Sequence, residues 1–243
     1  MDNEVYSGIE LPEMPFFVRL DGWAFHSLTE RLKLQEPFDE FFAGCLSKAA
    51  AALFVPFNPV LAYIFSDEVS LLFTKATAFR RVEKLDSVLA ALFSSNFSAA
   101  MEERFKELPP IAFDCRCIPV TKTQIVRYLV WRQAECFRNH NNAWAYWALR
   151  RAGRTPRRAA AELAGLKVRQ LFELCAAHGI NLDETPVWQR RGILLHWESY
   201  EKEGWDPVRK TKVRVSRRRV IERWDPPAFK SNEGKRAIEG LVG

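Results

Sequence analysis

Asp21 closes the apolar run Phe16-Phe17-Val18-Arg19-Leu20-Asp21-Gly22, and Asp67 and Glu68 interrupt a second one, Ile64-Phe65-Ser66-Asp67-Glu68-Val69-Ser70-Leu71. A carboxylate at the margin of a strand-like run is costly unless water or a cation solvates it. Hard divalent cations take carboxylate oxygens. The two runs therefore suggest one metal site, if the fold brings them together.

The order of elements supplies that meeting. Residues 16–20 read as a buried strand, and residues 37–54 as a helix opened by Pro37 in its first turn. Residues 60–65 and 69–73 read as strands joined by a turn at Ser66-Asp67-Glu68, followed by a helix over 79–105 and a strand over 111–118. This is a β-α-β-β-α-β order. In a ferredoxin-like sheet of that order the first and third strands are adjacent and antiparallel, which places Asp21 beside Asp67. The expected fold class is α+β, a polymerase-type palm with appended helices and a basic C-terminal strand region. Residues 10–120 would form the palm and 121–243 a helical, basic RNA-binding region, within one compact unit spanning 1–243.

In that second half, residues 121–152 carry apolar residues at helical spacing, with Thr121 as N-cap and Gly153 as stop. Thr155-Pro156 opens a short helix, and residues 166–178, closed by Gly179, form a third. Residues 192–197 and 212–220 read as strands, the latter alternating Val213 and Val215 with Arg214 and Ser216.

Charge separates the halves. Residues 1–119 hold 11 Lys+Arg against 17 Asp+Glu, a net of −6, whereas residues 120–243 hold 25 against 13, a net of +12. The second half is where a polyanion would bind. Its basic clusters at residues 150–158, 190–191 and 209–219 lie near Trp144, Trp147, Trp188, Trp197 and Trp205 in sequence, a mixture suited to phosphates and unpaired bases. At 243 residues and 48% hydrophobic, the chain can bury a sizeable core. It has no run of eighteen apolar residues and no basic-then-apolar leader, so neither a membrane partner nor a secretory signal is expected, and the expected location is cytoplasmic. The cysteines, Cys45, Cys115, Cys117, Cys136 and Cys175, show no zinc spacing and are expected to be reduced, buried hydrophobes.

Several motifs, in order, resemble the tRNA-His guanylyltransferases, and more closely their Thg1-like relatives, the 3′-to-5′ RNA polymerases. They are Arg19-Leu20-Asp21-Gly22-x-x-Phe25-His26, Pro37-Phe38-Asp39, Ser66-Asp67-Glu68-x-Ser70-x-x-Phe73, Phe113-Asp114-x-Arg116, Trp131-Arg132-Gln133-Ala134-Glu135, Arg138-Asn139-His140 and Trp188-Gln189-Arg190-Arg191-Gly192. The resemblance implies a tRNA-binding nucleotidyltransferase in which the 3′-hydroxyl of an incoming nucleotide attacks an activated RNA 5′ end. That end carries a triphosphate, or an adenylyl group transferred from ATP. Two Mg²⁺ ions would be held by Asp21, Asp67 and the Gly22 carbonyl. Catalytic roles would fall to Asp21, Asp67 and Glu68, the last as a base or a supporting group. GTP or ATP would contact Asp21, Gly22, Trp23, Ala24, Phe25, His26, Ser66 and Asp67, with Arg81 and Lys84 on its phosphates. RNA would meet Arg132, Arg138 and Asn139 on the long helix and Arg209, Lys210, Lys212 and Arg214 on the basic strand region. Family members form tetramers, so a homotetramer is expected by resemblance.

The eukaryotic His-x-Asn-Asn signature would begin at Phe137, and this chain departs from it with Phe137 and His140. The departure points to template-directed repair of truncated tRNA 5′ ends; the alternative is addition of G to tRNA-His alone. Trp23 and Glu36 are further departures, and Glu36 stands where many members carry a lysine near phosphate. Two other classes compete. A nucleotidyl cyclase would keep the metal aspartates but needs no basic half, and the Gly-Gly-Asp-Glu-Phe turn of diguanylate cyclases is replaced by Phe65-Ser66-Asp67-Glu68-Val69. A non-catalytic RNA-binding protein has no use for converging acids.

Overall fold

The computed structural model describes residues 4–75, 80–206 and 208–243. Strands β1 (Phe16–Gly22), β2 (Leu61–Phe65), β3 (Glu68–Phe73), β4 (Phe113–Pro119), β5 (Ile193–Asp206) and β6 (Thr211–Arg223) form one sheet in the order β4-β1-β3-β2-β5-β6, with every neighbouring pair antiparallel. The helices are α1 (Phe25–Leu32), α2 (Glu40–Ala52), α3 (Phe54–Phe57), α4 (Val82–Met101), α5 (Lys122–Arg151), α6 (Pro156–Leu163), α7 (Val168–Ala177), α8 (Val187–Arg191) and α9 (Asn232–Val242). The first and third strands are adjacent and antiparallel, as the element order requires.

Both faces of the sheet are covered, and β1 shows how. Phe16, Val18 and Leu20 point into a core built with Leu46, Leu89, Phe93 and Phe97 of α2 and α4. Phe17, on the opposite face, joins Tyr63, Leu72 and the α5 residues Ile125, Tyr128 and Leu129. A strand buried on both sides reads as a nearly unbroken apolar run, which is why residues 16–20 are conspicuous in sequence. A smaller cluster of Ala145, Leu171, Cys175 and Leu182 fastens α7 to the far end of α5.

Local chemistry moves several boundaries. The helix expected from Pro37 begins at Glu40, because the Asp39 carboxylate accepts from the Phe42 N–H at 2.9 Å and takes the N-cap. The second helix starts at Val82, and residue 79, where it was expected to begin, lies outside the described residues. Thr121 caps α5 reciprocally with Gln124, whose side chain accepts the Thr121 N–H at 2.8 Å. Gly153 and Gly179 end α5 and α7 with φ of 84° and 76°, a conformation in which Cβ-bearing residues are strained. Helix α1 was not expected; Phe25 and Leu28, one turn apart, bury its inner side.

Strands β5 and β6 run well past their expected ends. β2 pairs with β5 only through Ile193–His196, so from Trp197 onward β5 pairs with β6 alone. The result is a two-stranded ribbon that leaves the sheet, held by a Glu198–Arg219 ion pair at 2.6 Å and by the Arg218 guanidinium 4.6 Å from the Trp197 ring centre.

His140 joins α5 to the segment before α8. Its Nε2 lies 2.8 Å from the Thr185 hydroxyl, which itself donates to the Leu182 carbonyl at 2.8 Å. The hydroxyl therefore accepts from Nε2–H, while Nδ1 lies 2.9 Å from Asn141 Oδ1. Burial lowers the His140 pKa from 6.5 to about 4. Between those values the unfolded chain binds a proton that the folded chain refuses, so stability contributed by neutral His140 is complete above about pH 6.5 and is lost on acidification. The expected loss from pH 7 to 4 is on the order of 3 kcal/mol. Urea unfolding across that range should show a shallower acid dependence for His140→Gln than for the parent; equal slopes would refute the assignment.

Candidate active site

On the α5-facing side of β1 and β3 the chemistry changes step by step along the strands. Phe17 stands opposite Leu72, Arg19 opposite Ser70, and Asp21 opposite Glu68; on the other flank Arg19 meets Arg116 and Asp21 meets Asp114. Alternation puts these side chains on one face. The face is apolar at one end and acidic at the other, and α5 follows it. Tyr128 stacks on Phe17 with ring centres 4.0 Å apart, and its hydroxyl lies 3.0 Å from the Ser70 hydroxyl. One turn later Arg132 reaches Glu68 through two hydrogen bonds, 2.8 and 2.6 Å.

Asp67 sits in the turn just before β3, where Ser66 takes φ of 52° and donates its hydroxyl proton to Asp67 Oδ1 at 2.9 Å. The Gly22 N–H donates to the Asp67 carbonyl at 3.2 Å, which ties the end of β1 to this turn. Asp21 and Asp67 are thus brought together, and neither forms an ion pair among the described residues. Burial first, then the negative charge of Asp21, pushes the Asp67 carboxyl up, against the opposing Ser66 hydrogen bond. Among the described residues no three His, Cys, Asp or Glu side chains converge on a metal position. Two carboxylates with the Gly22 carbonyl nearby fit Mg²⁺, which keeps most of its shell for water and substrate phosphates.

A cleft of about 710 Å³ opens beyond these strand ends, a volume that accommodates a nucleotide. Its floor is Ile64, Phe65, Ser66 and Asp67; α1 contributes Phe25 and His26, α2 contributes Phe42, and α5 contributes Asn139, Tyr146, Trp147 and Arg150. Phe25, His26, Ser66 and Asp67 of the expected nucleotide contacts line this cleft, whereas Asp21, Gly22, Trp23 and Ala24 lie outside its lining. Trp23 is exposed, and Ala24, with φ of 58°, starts α1. Glu36 is also on the cleft wall; burial first, then Glu30, raises its pKa, while His26 and Arg150 oppose the rise.

Other expected contacts are distributed differently from the expectation. Arg81 is bridged to Glu10 in the segment preceding β1, and Lys84 follows in the first turn of α4. Both belong to the end of the sheet where β1 begins, while Asp21 is five residues further along that strand, roughly 17 Å at strand rise. Within one chain the structure does not bring Arg81 and Lys84 to the aspartates. Arg132, expected to contact RNA, is corrected to a buried residue: its relative exposure is 8%, and its guanidinium is spent on Glu68. Glu68 is itself buried on the α5 side, paired rather than poised for proton transfer. Arg138 is exposed and ion-paired with Glu135, while its neighbour Asn139 faces the cleft. Arg209, Lys210, Lys212 and Arg214 are exposed at the tip of the β5–β6 ribbon. Arg19 and Arg116, quoted within motifs but given no role there, stand side by side across β1 and β4 next to Asp21 and Asp114. Their i, i+2 spacing from those acids is the signal that could have identified them.

The chain matches the family model for tRNAHis guanylyltransferase over residues 4–121 and that for the Thg1 C terminal domain over residues 123–228. It is 31% identical over 214 residues to a probable tRNA(His) guanylyltransferase of Mus musculus, covering 84% of this chain and 70% of that one. It is 30% identical to the tRNA(His) guanylyltransferase of Candida glabrata over 202 residues, 76% of this chain and 83% of that one. The crystal structure of the Saccharomyces cerevisiae tRNA(His) guanylyltransferase superposes with a TM-score of 0.71 at 26% identity, over 87% of this chain and 92% of that one. A bacterial Thg1-like protein in complex with ATP shares the fold, with a TM-score of 0.77 at 24% identity over 97% of this chain and 93% of that one.

Gly22 provides a test of the geometry at the aspartates. A Cβ built there would overlap the ring of Phe25, which is wedged against Phe42, Phe97 and Phe113. Gly22→Ala should cost about 1–3 kcal/mol, the usual range for overpacking, and Phe25→Leu in the same chain should recover part of it. Denaturant unfolding of the single and double variants measures both. Parent-like stability in Gly22→Ala would show that the loop is not so confined.

Proposed function

We propose, from its membership of the tRNAHis guanylyltransferase family, that this chain is a nucleotidyltransferase that extends truncated tRNA 5′ ends in the 3′-to-5′ direction under the guidance of a template. The observation that carries the reading is that Asp67, which lines a nucleotide-sized cleft, has the Asp21 carboxylate close enough to raise its pKa. Strands β1–β4 with α2 and α4 act as a polymerase-type palm, and residues 121–243 as the RNA-binding half. Asp21, Asp67 and the Gly22 carbonyl would hold Mg²⁺, which when bound would supply positive charge to the attacking 3′-hydroxyl and the departing pyrophosphate. Phe25, Phe42 and Trp147 enclose the base of GTP or ATP, both of which occur in complexes of bacterial Thg1-like proteins. Arg19 and Arg116, side by side in the β1–β4 register and the latter ion-paired with Asp114, would neutralise phosphate charge in this reading.

The choice of repair over strict guanylylation of tRNA-His rests on Phe137 and His140. His140 is wholly buried, with both ring nitrogens occupied within the fold, and Phe137 packs on Phe172. Neither offers a polar group that reads an anticodon base. In this reading, base pairing opposite the missing nucleotide supplies the selectivity. A 5′-truncated transcript incubated with Mg²⁺ and labelled nucleotides should therefore incorporate the nucleotide complementary to the opposing base, for tRNAs of more than one identity, and Asp67→Ala should abolish incorporation. Addition of G alone, confined to the histidine transcript, would favour the tRNA-His guanylyltransferase reading and retain the chemistry.

The ribbon supplies the tRNA grip. Neutralising Arg209, Lys210, Lys212 and Arg214 together should weaken tRNA binding and lower the slope of log affinity against log salt by roughly one for each phosphate that the ribbon ceases to neutralise. Filter binding at several salt concentrations measures this, and an unchanged slope would leave the ribbon tip out of the RNA interface.

A further inference from the structure

Glu68 and Arg132 are the charges that the acidic end of the sheet hides. Their side chains are 9% and 10% exposed, and the guanidinium meets the carboxylate with two arms, Nε to Oε1 at 2.8 Å and Nη2 to Oε2 at 2.6 Å. Such a fork fixes the distance and the plane of both groups, which a lysine cannot do. The rings of Trp131 and Phe65 lie 4.4 and 5.2 Å from the guanidinium carbon, and Arg19 Nε is 3.9 Å from Glu68 Oε2. An RNA phosphate would reach Arg132 only by displacing Glu68 and stranding a buried carboxylate.

The pair joins two parts of the site. Glu68 follows Asp67 in the chain and stands opposite Asp21 in the β1–β3 register. Arg132 shares a helix face with Asn139 and Tyr146, because a spacing of seven residues is close to two turns, and both of those residues line the cleft. One contact therefore fixes the rotation of α5 relative to the strand end that carries Asp67.

We infer that Arg132, acting through Glu68, is a positioning residue that sets the separation of Asp21 and Asp67 and aims the cleft-lining face of α5, while touching neither nucleotide nor RNA. This deepens the nucleotidyl-transfer reading and rests on it. Arg132→Lys keeps the charge and removes the fork, Arg132→Met leaves Glu68 alone, and Glu68→Gln with Arg132→Met removes both buried charges.

Binding of Mn²⁺, followed by electron paramagnetic resonance, tests the inference without reference to turnover. Arg132→Lys and Arg132→Met should each weaken Mn²⁺ binding about tenfold or more, the usual effect of removing a group that orients a metal ligand. Affinity for a 5′-truncated tRNA transcript and its salt slope should stay at the parent values. The double variant should bind Mn²⁺ better than Arg132→Met alone, because no buried charge is left without a partner. Near-UV circular dichroism monitors folding, and if Arg132→Met does not fold, Arg132→Lys decides. Parent-like Mn²⁺ affinity in the folded Arg132 variants would overturn the inference, as would a salt slope lowered by about one, which would mark Arg132 as a ligand of an RNA phosphate. A parent protein that binds no Mn²⁺ would overturn the two-aspartate site itself, an outcome distinct from an effect of Arg132.

Discussion

Carboxylates crowd where β1 ends and β3 begins, because antiparallel pairing sets Asp21 opposite Glu68 and the turn adds Asp67 beside them. Like charges in a partly buried setting repel strongly enough to oppose the pairing that assembles them. The fold compensates one of them from within: Arg132 and Arg19 approach Glu68 from α5 and from β1. Asp21 and Asp67 receive no such partner among the described residues, and burial together with the charge of Asp21 raises the Asp67 pKa. Function and stability thus pull in opposite directions at this sheet end, as is usual where a site must bind charge.

The remainder of the molecule can be understood as support for that arrangement. The layer of α2 and α4 holds the strands from one side with an apolar core, and α5 holds them from the other with a stripe that changes from Ile125 and Leu129 to Arg132 as the sheet changes from Phe17 to Asp21. Because α5 continues beyond the strand ends, its second half becomes a wall of the cleft. The acidic and basic halves of the chain share one sheet, so the ribbon that carries the positive charge is a continuation of the framework that carries the carboxylates.

Much of this was legible in the primary structure, for identifiable reasons. Strands buried on both faces leave unbroken apolar runs, and the order of strands and helices allows few antiparallel sheets, so the meeting of Asp21 and Asp67 could be anticipated. Thr121 and Thr155 announced helix starts through their hydroxyls, and Gly153 and Gly179 announced stops through their positive φ. Asp39 displaced Pro37 as the helix start because a carboxylate that accepts a backbone N–H outweighs a preset φ.

What the sequence determined by itself was the inventory: two acid-bearing strands, an acidic half followed by a basic half, and the motifs of a nucleotidyl-transfer family. The tertiary structure decided which charges face solvent, substrate or each other. Arg132 and Arg138 are both arginines on one helix, six positions apart, yet one is buried against Glu68 and the other is exposed beside Glu135. Arg81 and Lys84, plausible phosphate ligands by motif, stand at the opposite end of the strands from the aspartates. A side chain's role depends on what lies across from it, and that neighbour comes from strand register and helix rotation, which long-range packing sets and local sequence does not encode.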